Sequence, residues 1–346
     1  MIKKIVTKES NFDVIGFGEV MLRLSPTGNE RISKGEAFEK RVGGSELNVV
    51  SGISLLGMRT GIITKIPDNT IGHFVKNSIR YCGVSDDYLL YDTTEDKRLG
   101  IYYYESGVYP RKPVVNYDRQ NSSINSIRIE EIPESVYTAA KIFHLSGITL
   151  AISDNAREVG IELVKRFKQN GALISFDVNF RATLWSEEKA RKTIEEILPF
   201  IDILFVSEET SRRMFGKTGS LEEIMKTYSD DYGISIVATT KRKVISPTKH
   251  SFGSVIYDAK SNRYFTEEEY ENIEVIDRIG SGDAYLSGVL FGILKYADLQ
   301  KALEFGNAMS ALKNTIPGDM PACDINEIIS IINTHKKVGP QSEMNR

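Results

Sequence analysis

The segment at residues 277–283, Asp-Arg-Ile-Gly-Ser-Gly-Asp, has the residue types that hold and transfer a phosphoryl group. Gly280 and Gly282 permit a tight turn in which backbone N–H groups point the same way, and the helix predicted to follow adds the positive end of its dipole. Asp283, in the first turn of that helix, is placed to take a proton from an attacking hydroxyl. The segment predicts an anion site formed by Gly280, Ser281 and Gly282, with Asp283 as its base.

The same turn also has a purely structural explanation. Aspartate is a favoured helix-capping residue, and glycines shape many loops, so the string Gly-Ser-Gly-Asp alone does not decide between the two. No Lys-Ser or Lys-Thr pair follows Gly282, which excludes a Walker A loop. If phosphate binds here, backbone amides hold it without that lysine.

A second polar segment lies near the amino terminus, at Gly43-Gly44-Ser45-Glu46-Leu47-Asn48. Two adjacent glycines before a helix let a ligand approach the backbone, and Asn48, one turn into that helix, offers both a donor and an acceptor to a polyol. The segment indicates a sugar contact. By itself it is more typical of a helix start with a buried asparagine.

Length and composition describe an ordinary globular protein. The chain has 346 residues, 41% of them hydrophobic and 26% charged, and its net charge of −3 gives no reason to expect nucleic acid or an anionic membrane as partner. Cys82 and Cys323 are far apart and predict neither a disulfide framework nor a zinc site. Without a signal peptide or an apolar stretch of about 18 residues, we expect a cytoplasmic protein with polar tails at 1–11 and 336–346.

Hydrophobic periodicity predicts an α/β protein. Short apolar runs rich in β-branched residues predict strands at 13–18, 60–66, 141–145, 172–177, 202–206 and 234–239. Apolar residues at intervals of three and four predict helices at 46–56, 71–81, 156–167, 190–198 and 221–228. This alternation implies a mostly parallel sheet covered by helices on both faces.

Two stretches, 21–41 and 97–119, interrupt the alternation. They lack helical periodicity, are rich in Gly, Pro, Ser and Tyr, and contain a strand predicted at 99–104. Since each leaves the main sheet near a strand end, together they could form a small β-sheet lid over the ligand crevice. The alternative is two unrelated surface excursions.

The two polar segments together resemble the signatures of the ribokinase-like carbohydrate kinases, also called the PfkB family. The segments 18–26, 177–185 and 311–319 are more specifically similar to those of 2-keto-3-deoxygluconate kinases. The resemblance covers nearly the whole chain. It implies a three-layer α/β/α domain over 12–335 with a β-sheet lid, through which homo-oligomers form.

The resemblance also implies an activity. ATP and Mg²⁺ would be the cosubstrates, and the γ-phosphoryl group would pass to the terminal hydroxyl of a sugar acid. Asp283 would be the base, while the turn from Gly280 to Gly282 would stabilise charge on the transferred group. Gly43, Gly44 and Asn48 would bind the sugar.

A keto-deoxy sugar acid carries a carboxylate, which arginine binds in a bidentate geometry that a neutral sugar does not require. The resemblance places carboxylate-binding arginines at Arg119 and Arg181, with Tyr102 and Tyr117 beside them on the lid. For a single arginine, solvated surface is the usual explanation. Two arginines at motif positions favour a sugar acid.

Nucleotide contacts are predicted at the carboxyl ends of two strands and on one helix. The predicted residues are Ser207, Glu208, Thr239, Lys241, Ala308 and Ala311, the last two beside adenine. Three positions depart from the family pattern. Ser207 and Thr210 replace an asparagine and an acidic residue, which leaves the magnesium ligands unknown, and Arg278 stands where a small threonine is usual.

Three other functions stay open. A neutral-sugar or nucleoside kinase would share the same turn and the same base, and Arg119 and Arg181 discriminate against it. A nicotinamide-dependent oxidoreductase is suggested by Gly16-x-Gly18 after the first strand, but Met21 replaces the third glycine of that fingerprint. A catalytically silent sugar-binding protein would have no need of Asp283.

Overall fold

The computed structural model describes residue 7 and residues 9–28 and 30–336. Its strands are β1 (Phe12–Phe17), β2 (Met21–Pro26), β3 (Phe38–Gly43), β4 (Thr60–Pro67), β5 (Leu89–Asp92), β6 (Gly100–Glu105), β7 (Val114–Asp118), β8 (Ala140–Ser146), β9 (Leu173–Asp177), β10 (Ile203–Phe205), β11 (Ile236–Ser246), β12 (Lys249–Asp258), β13 (Arg263–Phe265) and β14 (Tyr270–Glu274). Its α-helices are α1 (Ser45–Leu55), α2 (Thr70–Tyr81), α3 (Gly147–Ile152), α4 (Asp154–Gln169), α5 (Glu187–Ile197), α6 (Glu208–Arg213), α7 (Leu221–Tyr232), α8 (Ser281–Tyr296), α9 (Leu299–Asn314) and α10 (Ile325–Lys336).

A ten-stranded sheet forms the centre of the protein, in the order β13-β12-β11-β10-β9-β8-β1-β4-β5, with β14 paired to β12. The strands from β11 to β5 are parallel, and the strands that pair with β12 are antiparallel. The chain continues from β1 to β4 on one side and resumes at β8 on the other. The order of the strands therefore reverses beside β1, which opens a crevice at their carboxyl ends.

Side chains that alternate along each central strand fill two separate cores. Val14 on β1 packs with apolar residues of α1, α2, α8 and α9, whereas its neighbour Ile15 packs with those of α4, α5 and α7. Strands buried on both faces require helices on both sides. The prediction of three α/β/α layers is confirmed.

All six strands and all five helices predicted from periodicity are present, mostly with ends shifted by one to three residues. There are two exceptions. The helix α7, predicted to end at residue 228, runs on to Tyr232. The strand β11, predicted to end at Thr239, runs on to Ser246 because it pairs with β12 along a long hairpin. Glu208–Arg213, a short helix with four charged residues, had no periodic signal.

A second sheet has four strands in the order β3-β2-β6-β7, and we name it the lid sheet. Its strands come from the two segments assigned to a lid. One face buries Met21, Tyr102 and Tyr104 toward Ile279 in the crevice. The limits of the kinase domain and the closure of the lid stay predictions, and most of the predicted polar tails lies outside the described residues.

Within the described ranges, none of the helices combines the length and the apolar character needed to span a membrane. Cys82 and Cys323 are both free, and Cys82 is buried against Met320.

Candidate active site

Two adjoining cavities lie in the crevice at the carboxyl ends of the central strands. The inner cavity, of about 490 Å³, lies between the lid sheet and the start of α8. The outer cavity, of about 520 Å³, lies over the carboxyl ends of β9, β10 and the first part of β11. Both are lined by Asp177, Asn179, Arg181, Arg242 and Gly282. These residues mark the junction through which two ligands would meet.

Asp283 lies in the first turn of α8 with its carboxylate directed into the inner cavity. Ser45 Oγ donates to Asp283 Oδ1 at 3.0 Å, and Asn48 Nδ2 donates to Oδ2 at 2.7 Å. Both donors come from α1, and Asn179 Nδ2 in turn donates to Ser45 Oγ at 3.1 Å. The carboxylate is therefore held in one orientation by contacts with side chains from α1.

The surroundings of Asp283 give its carboxylate the properties of a base. Burial raises the pKa of Asp283 to about 6, although the hydrogen bonds from Asn48 and Ser45 act in the opposite direction. Burial and the charge of Asp283 raise the pKa of Asp177, at the end of β9, to about 7. The two carboxyl groups share one cavity and titrate as a coupled pair. Asp283 is mostly ionised at neutral pH and still able to accept a proton.

The residues before Asp283 form an anion turn, here defined as residues 278–282. Gly280 has φ +80°, and a Cβ atom there would lie 1.9 Å from the carbonyl oxygen of Asp319, so a glycine is required. The first intrahelical bond runs from Ala284 N–H to Gly280 O, which leaves the earlier N–H groups of α8 outside the helical ladder. Gly282 is exposed at the junction of the two cavities, and Ser281 is buried. The turn has the form that binds anions.

The two glycines at residues 43 and 44 permit close contacts between the lid sheet and the main domain. A Cβ atom on Gly43 would lie 2.2 Å from Asp319 Oδ2, and one on Gly44 would lie 2.3 Å from Glu19 O. Gly44 and Asn48 line the inner cavity, whereas Gly43 lies behind it. Asn48 is buried, and its Oδ1 has no hydrogen-bond partner among the described residues.

A buried ionic cluster beneath the anion turn was not foreseen from the sequence. Arg23 on β2 donates to Asp277 Oδ2 at 2.5 Å and to Asp319 Oδ1 at 2.8 Å, and all three side chains are about 4% exposed. Lys313 Nζ donates to the carbonyl oxygens of Asp277 and Ile316 at 3.1 and 3.0 Å. The cluster joins the lid sheet to the anion turn. The separation of 254 residues between Arg23 and Asp277 hides it from sequence patterns.

The predicted lid residues all line the inner cavity, but they differ in exposure and in hydrogen bonding. Tyr102 is only 3% exposed and donates its hydroxyl to Asp319, while Tyr117 is 51% exposed, with its ring centroid 5.7 Å from that of Tyr102. Arg119 directs its Nε and Nη2 atoms to Glu19 Oε2, the former at 2.8 Å. Its guanidinium is therefore already paired within the protein.

Arg181 lines both cavities and, within the described chain, has no ion pair with a carboxylate. Its Nη1 donates to the carbonyl oxygen of Phe180 at 3.1 Å. Its positive charge lowers the pKa of both Asp283 and Asp177, which places it electrostatically close to the two carboxyl groups. Of the two arginines predicted to bind a carboxylate, Arg181 is the one with free charge.

Only some of the residues predicted to bind nucleotide line the outer cavity. Ser207 lines it and caps α6, since its Oγ accepts from Thr210 N–H at 3.1 Å. Glu208 is turned away and pairs with Arg212. Thr239 is buried, Lys241 is exposed, and neither lines a cavity. The next residues along the strand, Thr240 and Arg242, line the outer cavity instead, because side chains alternate between the two faces of a strand.

Ala308 and Ala311 both lie on α9, and neither lines the inner or the outer cavity. Ala308 is fully buried and packs in an apolar cluster with Ala284 and Phe291 of α8 and Ile328 of α10. Ala311 is 6% exposed. The prediction that adenine lies beside these alanines stays a prediction.

No group of three or more potential metal-ligating side chains occurs within residues 9–28 and 30–336. Asp177 and Glu209 are carboxylates that line the outer cavity. Because Mg²⁺ in nucleotide sites is bound by one or two carboxylates together with substrate phosphates, this donor set fits the ion if a nucleotide supplies the remaining ligands. Ser207 and Thr210 are bonded to each other instead, at 2.8 Å.

Gly16 in β1 and Gly18 directly after it do not form a dinucleotide site. A Cβ atom on Gly18 would lie 2.1 Å from Glu46 Oε2, and one on Gly16 would lie 3.2 Å from Val50. The space is filled by α1, and Glu46 is a buried carboxyl that accepts from Ser146 N–H and Thr149 Oγ1. Glycine is needed at both positions because α1 packs closely against this part of β1.

Comparison with known proteins agrees with this geometry. The model of the pfkB family of carbohydrate kinases matches residues 11–324. A 2-dehydro-3-deoxygalactonokinase of Haloferax volcanii is 31% identical over 92% of this chain and 96% of its own. The crystal structure of 2-dehydro-3-deoxygluconokinase from Thermotoga maritima is 31% identical, covers 93% of this chain and 98% of its own, and superposes with a TM-score of 0.89.

A more distant solved structure, fructokinase of Xylella fastidiosa with bound ATP, shares the fold at a TM-score of 0.76 and 19% identity, over 94% of this chain and 99% of its own. The architecture is thus that of the ribokinase-like kinases. Asp283, the anion turn and Asn48 meet at the site where the sequence resemblance placed its two signatures. The chain is a carbohydrate kinase of the pfkB family.

Proposed function

We propose that this kinase phosphorylates 2-keto-3-deoxygluconate at its terminal 6-hydroxyl, with ATP as donor, to give 2-keto-3-deoxy-6-phosphogluconate. One observation carries the proposal. The inner cavity combines Asp283, held beside the anion turn, with Arg181, an arginine that has no carboxylate partner within the described residues. A neutral sugar would leave that charge without a counterpart, whereas a sugar acid would supply one.

The inner cavity offers separate groups for the two ends of such a substrate. Asp283 and the anion turn are at the reacting end, and Asn48 Oδ1 is an unpaired acceptor for a sugar hydroxyl. Arg181 would bind the carboxylate, with Tyr117 as a stacking surface. Arg119 would contribute through the part of its guanidinium that Glu19 does not occupy. Gly44 lets the sugar approach the start of α1, with Gly43 and Tyr102 supporting the wall behind it.

The reaction follows from the position of each group. The substrate's terminal hydroxyl lies against Asp283, which accepts the proton while the hydroxyl oxygen bonds to the γ-phosphorus. The bond between that phosphorus and the β–γ bridging oxygen breaks, and ADP leaves with the electron pair. N–H groups of the anion turn would stabilise the charge on the transferred group, apart from those of Ile279 and Ser281, which donate to Asp277 Oδ1 and Arg278 O.

ATP would occupy the outer cavity, along Ser207, Thr240 and the exposed Gly282. Five of the nucleotide contacts predicted from the sequence lie outside this cavity: Glu208, Thr239, Lys241, Ala308 and Ala311. They would contact ATP only if the nucleotide extended beyond the outer cavity. Mg²⁺, carried by the phosphates and bound by Asp177 and Glu209, would neutralise phosphate charge. Exclusion of water from the junction would depend on the lid sheet moving toward α8.

The substrate is tested by ADP release with a panel of acceptors. The panel consists of 2-keto-3-deoxygluconate, its galacto epimer, fructose, ribose, tagatose and adenosine. We expect the highest kcat/KM with one of the two acids, and Arg181→Ala should raise KM for the acid with a smaller effect on kcat. Higher kcat/KM with fructose, ribose or tagatose would instead establish a neutral-sugar kinase, and no turnover with the whole panel would favour a silent binding protein.

We also propose a homo-oligomer that forms through the lid sheet. Its outer strands carry exposed apolar side chains, among them Phe38 and Val114. An exposed sheet with apolar side chains is a surface that a second copy can cover. Light scattering coupled to size exclusion should give more than one subunit, and Val114→Glu should give monomers; a monomeric wild-type protein would contradict this proposal.

A further inference from the structure

Three arginines converge where the inner and outer cavities join. Arg181 and Arg242 line both cavities, and Arg278 lines the inner one directly before the glycines of the anion turn. They come from three separate elements: the loop after β9, the middle of β11 and the turn before α8. We name them the arginine cluster. The resemblance to sugar kinases assigned a role to Arg181 alone.

The arginine cluster has no counter-charge of its own in the described part of the chain. The other arginines around the inner cavity are neutralised: Arg23 by Asp277 and Asp319, and Arg119 by Glu19. By contrast, neither Arg242 nor Arg278 has an ion pair or a side-chain hydrogen bond with any described residue. Such charges indicate that an anion binds between them.

The cationic groups are close enough to oppose one another. Burial lowers the pKa of Arg242, and the positive charges of Arg278 and Arg181 lower it further. Among the carboxyl groups of the described residues, Asp177 lines both cavities and Asp283 lines the inner one beside it. Glu187 and Glu209 of the outer cavity are already paired with Arg213. An excess of positive charge is thus fixed at the junction before any ligand binds.

The position of Arg242 also has a structural cause. β11 pairs with β10 only through Ala238, and beyond that point it continues as a hairpin paired with β12. The hairpin carries the run Lys241-Arg242-Lys243 past the edge of the parallel sheet. Because side chains alternate, Arg242 is directed to the cavities and Lys243 is not.

We propose that Arg242 and Arg278 clamp the γ-phosphoryl group of ATP as it passes from the outer to the inner cavity, which leaves Arg181 for the carboxylate of the sugar acid. This inference rests on the proposed kinase function and deepens it by assigning two more residues that contact the reacting group. The clamp adds positive charge at a junction where Ser207 and Thr210, which are bonded to each other, offer no carboxylate.

The chemical step itself is unchanged. The acceptor oxygen bonds to the γ-phosphorus, the bond to the bridging oxygen breaks, the proton passes to Asp283, and ADP retains the electron pair. Arg242 and Arg278 donate N–H groups to the equatorial oxygens, which carry the charge in the transition state. They neither gain nor lose a proton.

The test compares nucleotides with and without a γ-phosphate, in the absence of any sugar. Arg242→Met and Arg278→Met keep the length of the side chain and remove its charge, and Lys243→Met is the matched control on the same strand. By titration calorimetry, we expect each arginine variant to lose about 10- to 100-fold in affinity for the non-hydrolysable analogue AMPPNP. ADP affinity should change by less than about threefold, and Lys243→Met should behave as wild type.

Kinetics provide the second readout. Each arginine variant should lower kcat by roughly 10²- to 10³-fold with little change in KM for the sugar acid, because the clamp acts on the transferred group. If either methionine variant fails to fold, the lysine variants, which keep the charge without the planar fork, should fold and show a partial loss.

Two outcomes would overturn the clamp. One is an unchanged preference of the variants for AMPPNP over ADP; the other is a rise in KM for the acid with kcat retained, which would make the arginines carboxylate ligands. Failure of the clamp and failure of the proposed function are distinguishable. If wild-type protein binds neither nucleotide, the kinase function fails; if it binds both and the variants match it, only the clamp fails.

Discussion

Replacing Asp283 with asparagine should stabilise the fold near neutral pH while it removes activity. Burial raises the pKa of Asp283 from its ordinary 3.8 to about 6, so the folded protein disfavours the ionised carboxylate that the proposed mechanism requires. An amide has nearly the same shape and no charge to desolvate. Stability and activity are expected to change in opposite directions, as they do where a site is held in a strained state for function.

The size of the effect follows from the pKa values. The difference between 3.8 and about 6 corresponds to about 3 kcal/mol at 1.36 kcal/mol for each pH unit. Part of the carboxylate faces the open cavity, where water screens it, and an amide accepts fewer hydrogen bonds from Ser45 and Asn48 than a carboxylate does. We therefore expect a net gain of about 1–2 kcal/mol, or a few degrees in Tm.

The sign of the pH dependence is fixed by linkage. Because the folded-state pKa of Asp283 is raised, its contribution to stability is complete below pH 3.8 and is lost as pH rises through about 6. The advantage of Asp283→Asn should thus be small near pH 4, grow up to about pH 6, and stay constant above it. The charge of Asp283 also raises the pKa of Asp177, so its removal acts in the same direction.

The assay is urea denaturation of wild type and variant at pH 4.5, 6 and 8, with Asp96→Asn as control. Asp96 is exposed and lines neither the inner nor the outer cavity, so its variant should match wild type at every pH. A variant of Asp283 that is less stable at pH 8, or whose advantage is the same at pH 4.5 and 8, would refute the argument that burial sets the properties of the base.

Three further predictions concern the pH profile, the ionic cluster and the anion turn. The kcat/KM of wild type should fall below an apparent pKa of about 6 to 7, since Asp283 must be ionised and titrates together with Asp177; initial rates that stay constant from pH 8 to pH 5 would contradict this. Arg23→Met should lower the free energy of unfolding by about 3–5 kcal/mol, because two buried carboxylates lose their cation. Urea denaturation measures it, and the surface variant Arg191→Met should have little effect. Gly280→Ala should lower both stability and kcat, since its φ is +80° and its Cβ would meet Asp319, while Gly282→Ala, with no atom within 4 Å, should keep wild-type Tm; equal Tm values in the two variants would argue against the close approach.

Much of the fold could be predicted because it depends on local periodicity. Val14 and Ile15 on β1 belong to opposite cores, and the continuous apolar run that is typical of a strand buried on both faces is visible in the sequence. The hairpin of β11 and β12 could not be predicted in the same way. Lys241, Arg242 and Lys243 have no apolar alternation, and only their pairing with β12 makes them a strand.

In the candidate site, too, residues in short local motifs could be predicted, whereas contacts between residues distant in sequence could not. Asp283, Gly280 and Asn48 belong to short strings whose residue types already imply chemistry, and they lie together at the inner cavity. The pairing of Arg119 with Glu19 across 100 residues could not be seen, because a sequence gives residue types and not partners.

Strand alternation accounts for the differences at the nucleotide side. Thr239 and Lys241 were chosen because they follow a strand, but only every second residue of β11 lines the outer cavity. A shift of one residue brings Thr240 and Arg242 there instead. Asp177 was part of a motif without an assigned role, and its position at the junction depends on the parallel pairing of β8, β9 and β10.

The claim that Asp283 is the base for phosphoryl transfer in this cavity is tested most directly in a single turnover. Wild type and Asp283→Asn are mixed with ATP labelled at the γ-phosphate and 2-keto-3-deoxygluconate, and labelled sugar phosphate is followed by rapid quench while ATP affinity is measured separately. We predict ATP affinity within about threefold of wild type and transfer slowed by at least about 10³-fold. Transfer in the variant at a rate close to that of wild type would contradict the account.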